Sequence, residues 1–394
     1  MKRMLLTAML CCMTAFAAIG ATVTWQGGDG DWSVASNWGG VKPKYGDTAV
    51  ISDPSTVTVT TDEDYRVVVN LTGGATLEMR EGGKLNLATG DRDFGIASVA
   101  NGTASVLMTG GAFEIYGNPH IGQYGTGSLR QTGGTIRCAG YFSVGRYAGS
   151  VGTAIIEGGE LIKEDGTRSL LVGEDGEGTL VVKDSGTVRI ASNVAAISAA
   201  IPGGIQIAYK ASATGTLRLE SGGTIISPRT FVRNATGTFV FAGGVLKAPE
   251  DADSCGQFLE QVGGVGVVSV ESAGAFVDVP IGVAATISAS VTPASGSVGG
   301  FVKLGEGSLA LTGTNTWVGV TIVSNGTLVA ETPFALPGYD SPNRVRVEDG
   351  AVLATGSGWT AAEIAVLRQN MTGTLSVTID TTSGDVTLAG NENY

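Results

Sequence analysis

Apolar and polar residues alternate with a period of two through the middle of the chain, and glycine punctuates the alternation. The phrase Gly-Thr-x-x-apolar, followed shortly by Gly-Gly-x-apolar, begins at Gly102, Gly125, Gly152, Gly178, Gly215 and Gly237. The intervals are unequal, the longest running from Gly178 to Gly215. Stacked on their leading glycines, the copies give one apolar column of Val106, Leu129, Ile156, Val182, Leu219 and Phe241. Ala104, Gly127, Ala154, Leu180, Leu217 and Phe239 stand two positions after the leading glycines. A third column follows the Gly-Gly (Ser185-Gly186 in the fourth copy): Phe113, Ile136, Leu161, Val188, Ile225 and Leu246. Ile121-Gly122, Val144-Gly145, Val172-Gly173 and, more loosely, Ile207-Ala208 close the copies. Period-two alternation describes a pleated strand with one face buried. Each copy therefore predicts about three short strands joined by glycine corners, where positive φ or close backbone approach is needed.

One such copy cannot bury its apolar face, so neighbours must stack and cover each other. Three strands per coil predict an all-β, right-handed parallel β-helix with an N-terminal cap and a small C-terminal cap of helix and hairpin. A β-sandwich also has many short strands, but it predicts hairpins rather than in-phase columns. The expected boundaries are a signal peptide over 1–20, an N-terminal β cap over 21–60 and β-helix repeats over 61–250. Irregular coils over 251–300, a distinct strand repeat over 301–330 and a C-terminal cap over 331–394 complete the chain. In that last segment Thr360 and Glu363 form a capping box for a short helix. The alternating runs near 374–379 and 385–389 read as a hairpin about Thr382-Ser383-Gly384.

Composition narrows the class. The chain has 62 glycines in 394 residues, with 43% hydrophobic and 15% charged residues, too apolar and too regularly patterned for disorder. Lys2 and Arg3 precede an apolar run from Leu5 to Ile19, and small residues up to Gly20 place signal cleavage before Ala21. The run is too short for a membrane anchor, and the mature chain shows no other candidate span. Cys11 and Cys12 lack the preceding small residue of a lipoprotein signal. There are 36 acidic against 24 basic side chains, a net −12 that becomes −14 without Lys2 and Arg3. Such a surface repels phosphate backbones and argues against nucleic-acid binding. Cys138 and Cys255 remain in the mature chain; Cys138 falls in the inward phase of Ile115 and Ile190, and no bridge is expected.

Two segments outside the central repeats carry a family resemblance. Residues 23–40 carry Trp25, Trp32 and Trp38 among glycines, followed by Gly46-Asp47-Thr48-Ala49-Val50-Ile51. This resembles the opening of secreted bacterial β-helical proteins with autotransporter-associated strand repeats. Residues 302–330 are similar to one copy of that repeat. Lys303, Gly305, Gly307, Leu309, Leu311, Gly313, Asn315, Gly319, Thr321, Gly326, Thr327 and Leu328 stand where the family places such residues. The resemblance implies a right-handed parallel β-helix in an exported or surface-associated protein, and no reaction. Autotransporters end in a membrane barrel of many alternating strands; the tail here reads as an end cap in which no such translocator fits.

Candidate chemistry is sparse. His120 is the one histidine, so any Ser-His-Asp site must use it. Ser143, Leu171 and Gln206 hold its place in other copies, which reads as a variable turn position. Asp251-x-Asp253 with Gly256 starts like a calcium loop, but Val262 stands where a bidentate glutamate belongs. Glu174-Asp175-Gly176-Glu177 reads as a solvated acidic turn with calcium as the alternative. Carbohydrate-active β-helices place clustered carboxylates and a basic residue on neighbouring coils. The candidates are Asp91, Arg92 and Asp93, then Arg130, Glu157, Lys183 and Glu220, whose alternating signs read as a surface ion-pair ladder. Trp32 and Trp38 are the ligand-contact candidates, since exposed indoles stack on sugar rings; closing the core's end is their other use. No catalytic, cofactor or metal residue is assigned. The expectation is a non-catalytic structural or adhesive protein meeting extracellular polysaccharide or cell-surface components. The alternative is a carbohydrate-active β-helix: a polysaccharide lyase, a glycoside hydrolase or a binding module.

Overall fold

A computed structural model describes residues 20–87, 93–192, 203–373 and 377–379. The chain winds into a parallel β-solenoid of about 13 turns. Strands stack about 4.8 Å apart in such a ladder, so the rod is about 60 Å long. Eleven strands form one face of the rod, and 27 form a continuous sheet that wraps the others. Every named strand pair is parallel; an isolated bridge from Glu220 to Gly243 is antiparallel.

The central coils show why the glycine phrase repeats. On the first face, Thr103–Met108, Thr126–Gln131, Val151–Ile156, Glu177–Val182, Thr214–Glu220 and Gly237–Ala242 pair in succession. Their register corrects the alignment on leading glycines. Gly127, not Gly125, lies beside Gly152, so the step between the second and third coils is shorter than the repeated phrase suggests. The first two copies thus slide by two positions against the rest, and Val106, Leu129, Ala154, Leu180, Leu217 and Phe239 form one inward column. A slide of two leaves inward and outward phases unchanged, so the sequence columns conceal it. The other two columns hold as read: Phe113 through Leu246 on the second face, and Ile121, Val144, Val172 and Ile207 on the third.

The in-strand glycines are required by space. A Cβ on Gly152 would lie 2.1 Å from the Ile121 carbonyl oxygen and 2.3 Å from the Gly145 amide nitrogen. Those atoms belong to the corner where the third face turns into the first. That corner is itself left-handed, with φ of 69° at Gly122, 73° at Gly145 and 72° at Gly173. Ala208 occupies the same conformation at 53°, so the looser Ile207-Ala208 signal marks the same turn.

Unequal coil lengths are absorbed mainly at another corner. Between second and third faces the chain uses residues 116–117 in one coil, 139–141 in the next and 164–168 in the next; in the fourth the strands end at Ile190 and resume at Gly204, and 193–202 between them lie outside the described residues. Thr187–Ile190 and Gly204–Ile207 nevertheless keep register with the coils beside them. This corner accounts for most of the long interval from Gly178 to Gly215.

Both ends of the rod differ from the middle. Thr22–Thr24 and Thr48–Ile51 already pair in parallel, so the stack begins at the first described strand. Trp25, Trp32 and Trp38 are 4%, 1% and 3% exposed, and Trp38 meets the other two edge-on at 4.9 and 4.7 Å. Their indole groups are tied inward, Trp38 Nε1 donating to the Trp32 carbonyl and Trp25 Nε1 to that of Gly28. Segment 251–300, read as irregular, continues the stack through Ser254–Gln261, Val267–Val270, Ala275–Asp278, Ala284–Ile287 and Val291–Pro293.

Beyond Val291–Pro293 the first face carries no further strand among the described residues, and coils shorten. One coil runs from Ala275 to its partner Phe301, whereas the next needs only the stretch from Phe301 to Thr321. Asn315 then does what a strand did. Its Oδ1 accepts from the Val291 amide and its Nδ2 donates to the Ala335 carbonyl, both at 2.8 Å. Trp317 stacks on Phe301 at 4.9 Å and donates to Thr321 Oγ1. Lys303 is fully buried, and its ammonium donates to the carbonyls of Leu304, Gly305 and Asn325 at 2.8, 2.8 and 3.1 Å. All three donors are therefore satisfied. Burial pulls its pKa down to about 8. Lys163, also 0% exposed, occupies the inward column between Cys138 and Ile190 and donates to the carbonyls of Ala139 and Asp165.

The C-terminal helix spans Ala361–Asn370 with the expected Thr360–Glu363 capping box. The first run read as a hairpin arm instead lies, over Val377–Ile379, parallel to Val352–Thr355. The second run and the turn at 382–384 lie outside the described residues, as does the signal segment except Gly20.

Gly152→Ala is expected to lower the thermal midpoint sharply, because rigid backbone on both sides blocks the added methyl; overpacking of this kind costs about 1–3 kcal/mol. An unchanged midpoint would show that the corner can move aside. Lys303→Met keeps the stem but leaves three carbonyls unpaired, and denaturant unfolding should register a loss of roughly 2 kcal/mol or more.

Candidate functional site

The third face is where the polar side chains gather. His120, Ser143, Leu171 and Gln206 form one outward column, as the copies' alignment placed them. They sit on strands, not in turns, and the column is buried: His120 is 2% exposed, Ser143 and Gln206 0%. Residues just after these strands rise beside the column. Gln123-Tyr124, Arg146-Tyr147, Glu174 and Tyr209 each follow the left-handed corner of their own coil.

Hydrogen bonds and ion pairs run across the coils. His120 Nε2 lies 3.1 Å from Asp93 Oδ1 of the preceding coil, and Gln123 Nε2 donates to Asp93 Oδ2 at 3.0 Å. Ser143 Oγ donates to Glu174 Oε2 at 2.6 Å, and Arg146 forms an ion pair with the other oxygen of Glu174. The Arg146 guanidinium also covers the Tyr147 ring, which stacks on Tyr124 with centroids 4.4 Å apart. Further along, Arg233 Nε donates to Gln206 Oε1 at 2.6 Å. His120 Nδ1 and Arg146 Nε are buried atoms with no hydrogen-bond partner.

Burial holds the His120 imidazole below its ordinary pKa against the pull of Asp93, and the Arg146 charge adds to the depression. Burial opposes ionisation of Asp93, yet the hydrogen bonds from His120 and Asn118 and the nearby positive charge outweigh it and hold this carboxyl below the usual range. The pair at neutral pH is thus a neutral imidazole donating from Nε2 to a carboxylate.

His120, Arg146 and Glu174, with Asn118, Tyr141 and Tyr209, line a recess of about 170 Å³. A second recess of about 560 Å³ lies beside it, lined by Asn70, Asp93, Gln123 and Tyr124 among others. The Asp93–His120 pair joins them. Together they cross the strands Thr48–Ile51, Asp62–Leu71, Asp93–Ile96, Asn118–Ile121, Phe142–Val144 and Ser169–Val172, which pair in that order along the rod.

The sequence candidates meet mixed outcomes here. Asp93 belongs to the site; Asp91 and Arg92 lie outside the described residues. Reading His120 as a turn residue is corrected: outward strand positions on this face are covered by the risers of adjacent corners. Glu174 is not a solvated loop carboxylate, being 7% exposed and held by Ser143 and Arg146. Its neighbour Asp175 pairs with Lys210 and Ser212. Trp32 and Trp38 are buried in the N-terminal plug, where a sugar ring cannot stack on them. Asp251 accepts from Ser192 at 2.5 Å. Among the described residues no group of three or more His, Cys, Asp or Glu side chains is placed to hold a metal ion. The surface ladder forms, with Glu157 bridging Arg130 at 2.7 Å and Lys183 at 3.0 Å, while Glu220 turns to Arg218. Exposed pairs of this kind contribute little to stability. Cys138 and Cys255 are buried and unbridged, and burial pushes their thiols up to about 12 and about 11. Arg146, Tyr141 and Tyr209 carried no sequence signal, since they stand at corner positions whose residue type varies between copies.

Residues 301–330 match the family model of the passenger-associated-transport-repeat. The matched segment is the shortened coil with Lys303, Asn315 and Trp317, whose side chains close that coil. Comparison with curated proteins and with solved structures returns no match. Among the described residues no helix is long and apolar enough to cross a membrane.

The imidazole gives the site a pH signature. Unfolded His120 takes up a proton near pH 6.5 whereas the folded side chain stays neutral to lower pH, so the unfolded state binds more protons and stability falls as pH drops below about 6.5. Asp93 acts in a separate window, its contribution being lost only as pH falls below the ordinary carboxylate range. Thermal midpoints between pH 7.5 and 5.5 should therefore decline in the wild type and decline less in His120→Gln. Equal slopes would mean that the folded imidazole titrates normally.

Proposed function

We propose that this chain is an exported passenger-type β-helical protein that acts without catalysis, as a structural or adhesive module at a cell surface. The observation that carries the reading is that the passenger-associated repeat is built into the stack as one coil among the others. Its characteristic side chains close backbone ladders rather than face a cleft. A repeat used this way is a length element of a rod, and a rod of stacked coils presents an extended surface at low chain cost.

The runner-up, a polysaccharide-cleaving enzyme, draws on the recess with Asp93, Glu174, His120 and Arg146. The wiring of those groups speaks against it. A serine nucleophile is hydrogen-bonded to histidine in the triad arrangement, but Ser143 donates its hydrogen bond to Glu174. General acid–base work on a glycosidic bond needs one carboxyl with a raised pKa; Asp93 is shifted the other way, and Glu174 is paired with Arg146.

Export predicts that protein recovered from the medium or cell surface begins at Ala21. Purified residues 21–394 should bind cells or isolated envelopes and release neither reducing ends nor unsaturated sugars from neutral and acidic polysaccharides, with calcium present. Product accumulating above background would overturn the non-catalytic reading, and protein retained in the cytoplasm would overturn the exported one.

A further inference from the structure

We propose that Asn325 is a site of spontaneous backbone-assisted deamidation: its carboxamide closes onto the Gly326 nitrogen with Lys303 as the group that activates the peptide unit, and aspartate or isoaspartate results. The chemistry at this corner does not depend on the adhesive reading above.

The tripeptide Asn-Gly-Thr occurs at 101–103 and again at 325–327. Each copy leads into a strand, Thr103–Met108 and Thr327–Ala330, and both asparagines are exposed. Glycine in second place leaves no Cβ to obstruct ring closure at either site, so local sequence treats the two alike. The structure separates them. At the first, the Gly102 amide, which would be the nucleophile, donates to the Val99 carbonyl at 3.0 Å. At the second, no hydrogen bond to the Gly326 amide or to the Asn325 carboxamide is made among the described residues.

Lys303 adds the activation. Its buried ammonium donates to the Asn325 carbonyl oxygen at 3.1 Å, and that carbonyl belongs to the same peptide unit as the Gly326 nitrogen. The attacking species is the amide anion, whose charge rests largely on the carbonyl oxygen. A cation already hydrogen-bonded to that oxygen stabilises the anion as it forms. The carbonyls of Leu304 and Gly305 hold the amine in place. Val277 and Val323 flank Lys303 in its column, and Asp278 is the charged group that acts on it.

The steps balance without oxidant or cofactor. Hydroxide takes the Gly326 amide proton, and the nitrogen lone pair forms the bond to Asn325 Cγ. The side-chain nitrogen accepts a proton from water and leaves as ammonia. Water then opens the five-membered imide at either carbonyl, giving aspartate or isoaspartate. Aspartate adds a negative charge to the corner, and isoaspartate lengthens the backbone by a methylene just before Thr327–Ala330.

The test is peptide mapping by mass spectrometry of residues 21–394 aged at neutral pH. Conversion of amide to acid at Asn325 should outpace that at Asn101 by roughly tenfold or more. In denaturant, which frees both amides and removes Lys303, the two rates should converge. Lys303→Met should slow Asn325 by about tenfold and leave Asn101 unchanged, with circular dichroism and the melting midpoint showing that the variant is folded. If that variant does not fold, the wild-type pH profile answers instead. The rate at Asn101 should climb steadily with pH, whereas at Asn325 the gain should level off above about pH 8, where the buried amine loses its charge. Equal rates at the two sites in folded protein overturn the proposal, as does a difference that persists in denaturant. A rate at Asn325 that is unchanged or raised in folded Lys303→Met, or that climbs with pH in parallel with Asn101, overturns the role of Lys303.

Discussion

Everything in this rod depends on the parallel backbone ladder. Each strand's amides and carbonyls are completed by the coils before and after it, so equivalent positions of adjacent coils stand about 4.8 Å apart. That spacing turns a one-dimensional repeat into columns of touching side chains. It makes Val106, Leu129, Ala154 and Leu180 one continuous seam of core. It also brings His120 beside Ser143, although a whole coil of chain separates them. Core, corner and site are all consequences of that pairing. Where the first-face strand is lost, Asn315 restores the ladder with a side-chain amide, which shows how strictly the pairing is maintained.

Much of this was legible because period-two alternation and glycine spacing are both backbone requirements. The solenoid, the three strands per coil, the capping box and two of the three inward columns follow from them directly. The register between the second and third coils did not, because alternation is blind to a slide of two, and only the steric need for glycine at 127, 152 and 178 fixes it. Lys163 in an apolar column reads as a break in pattern. Its amine is instead satisfied by carbonyls at a turn, which no side-chain pattern announces.

The site was the least legible part. Its column was correctly assembled, but its environment was misjudged, because outward on a strand usually means exposed. Here the corner residues stand up beside the face and bury it. Burial then decides the chemistry: it keeps His120 neutral and ties Asp93 to it. The tryptophans teach the converse. Clustered aromatic residues read either as a sugar-contact surface or as closure of the core's open end, and their burial against one another fits closure.

The corner between the second and third faces is as brief as 116–117 in one coil and as long as 164–168 in another, while the strands on both sides keep their partners. Sequence length is thereby decoupled from geometry along a single edge of the molecule. Insertions there alter neither the pitch nor the seam, so this edge is where a lineage can try out new segments while the rest of the rod remains invariant. Because it adjoins the third face, whatever is added there arrives next to the recesses. The solenoid thus separates two evolutionary tasks that compact domains must solve together: keeping a fold and changing what it touches.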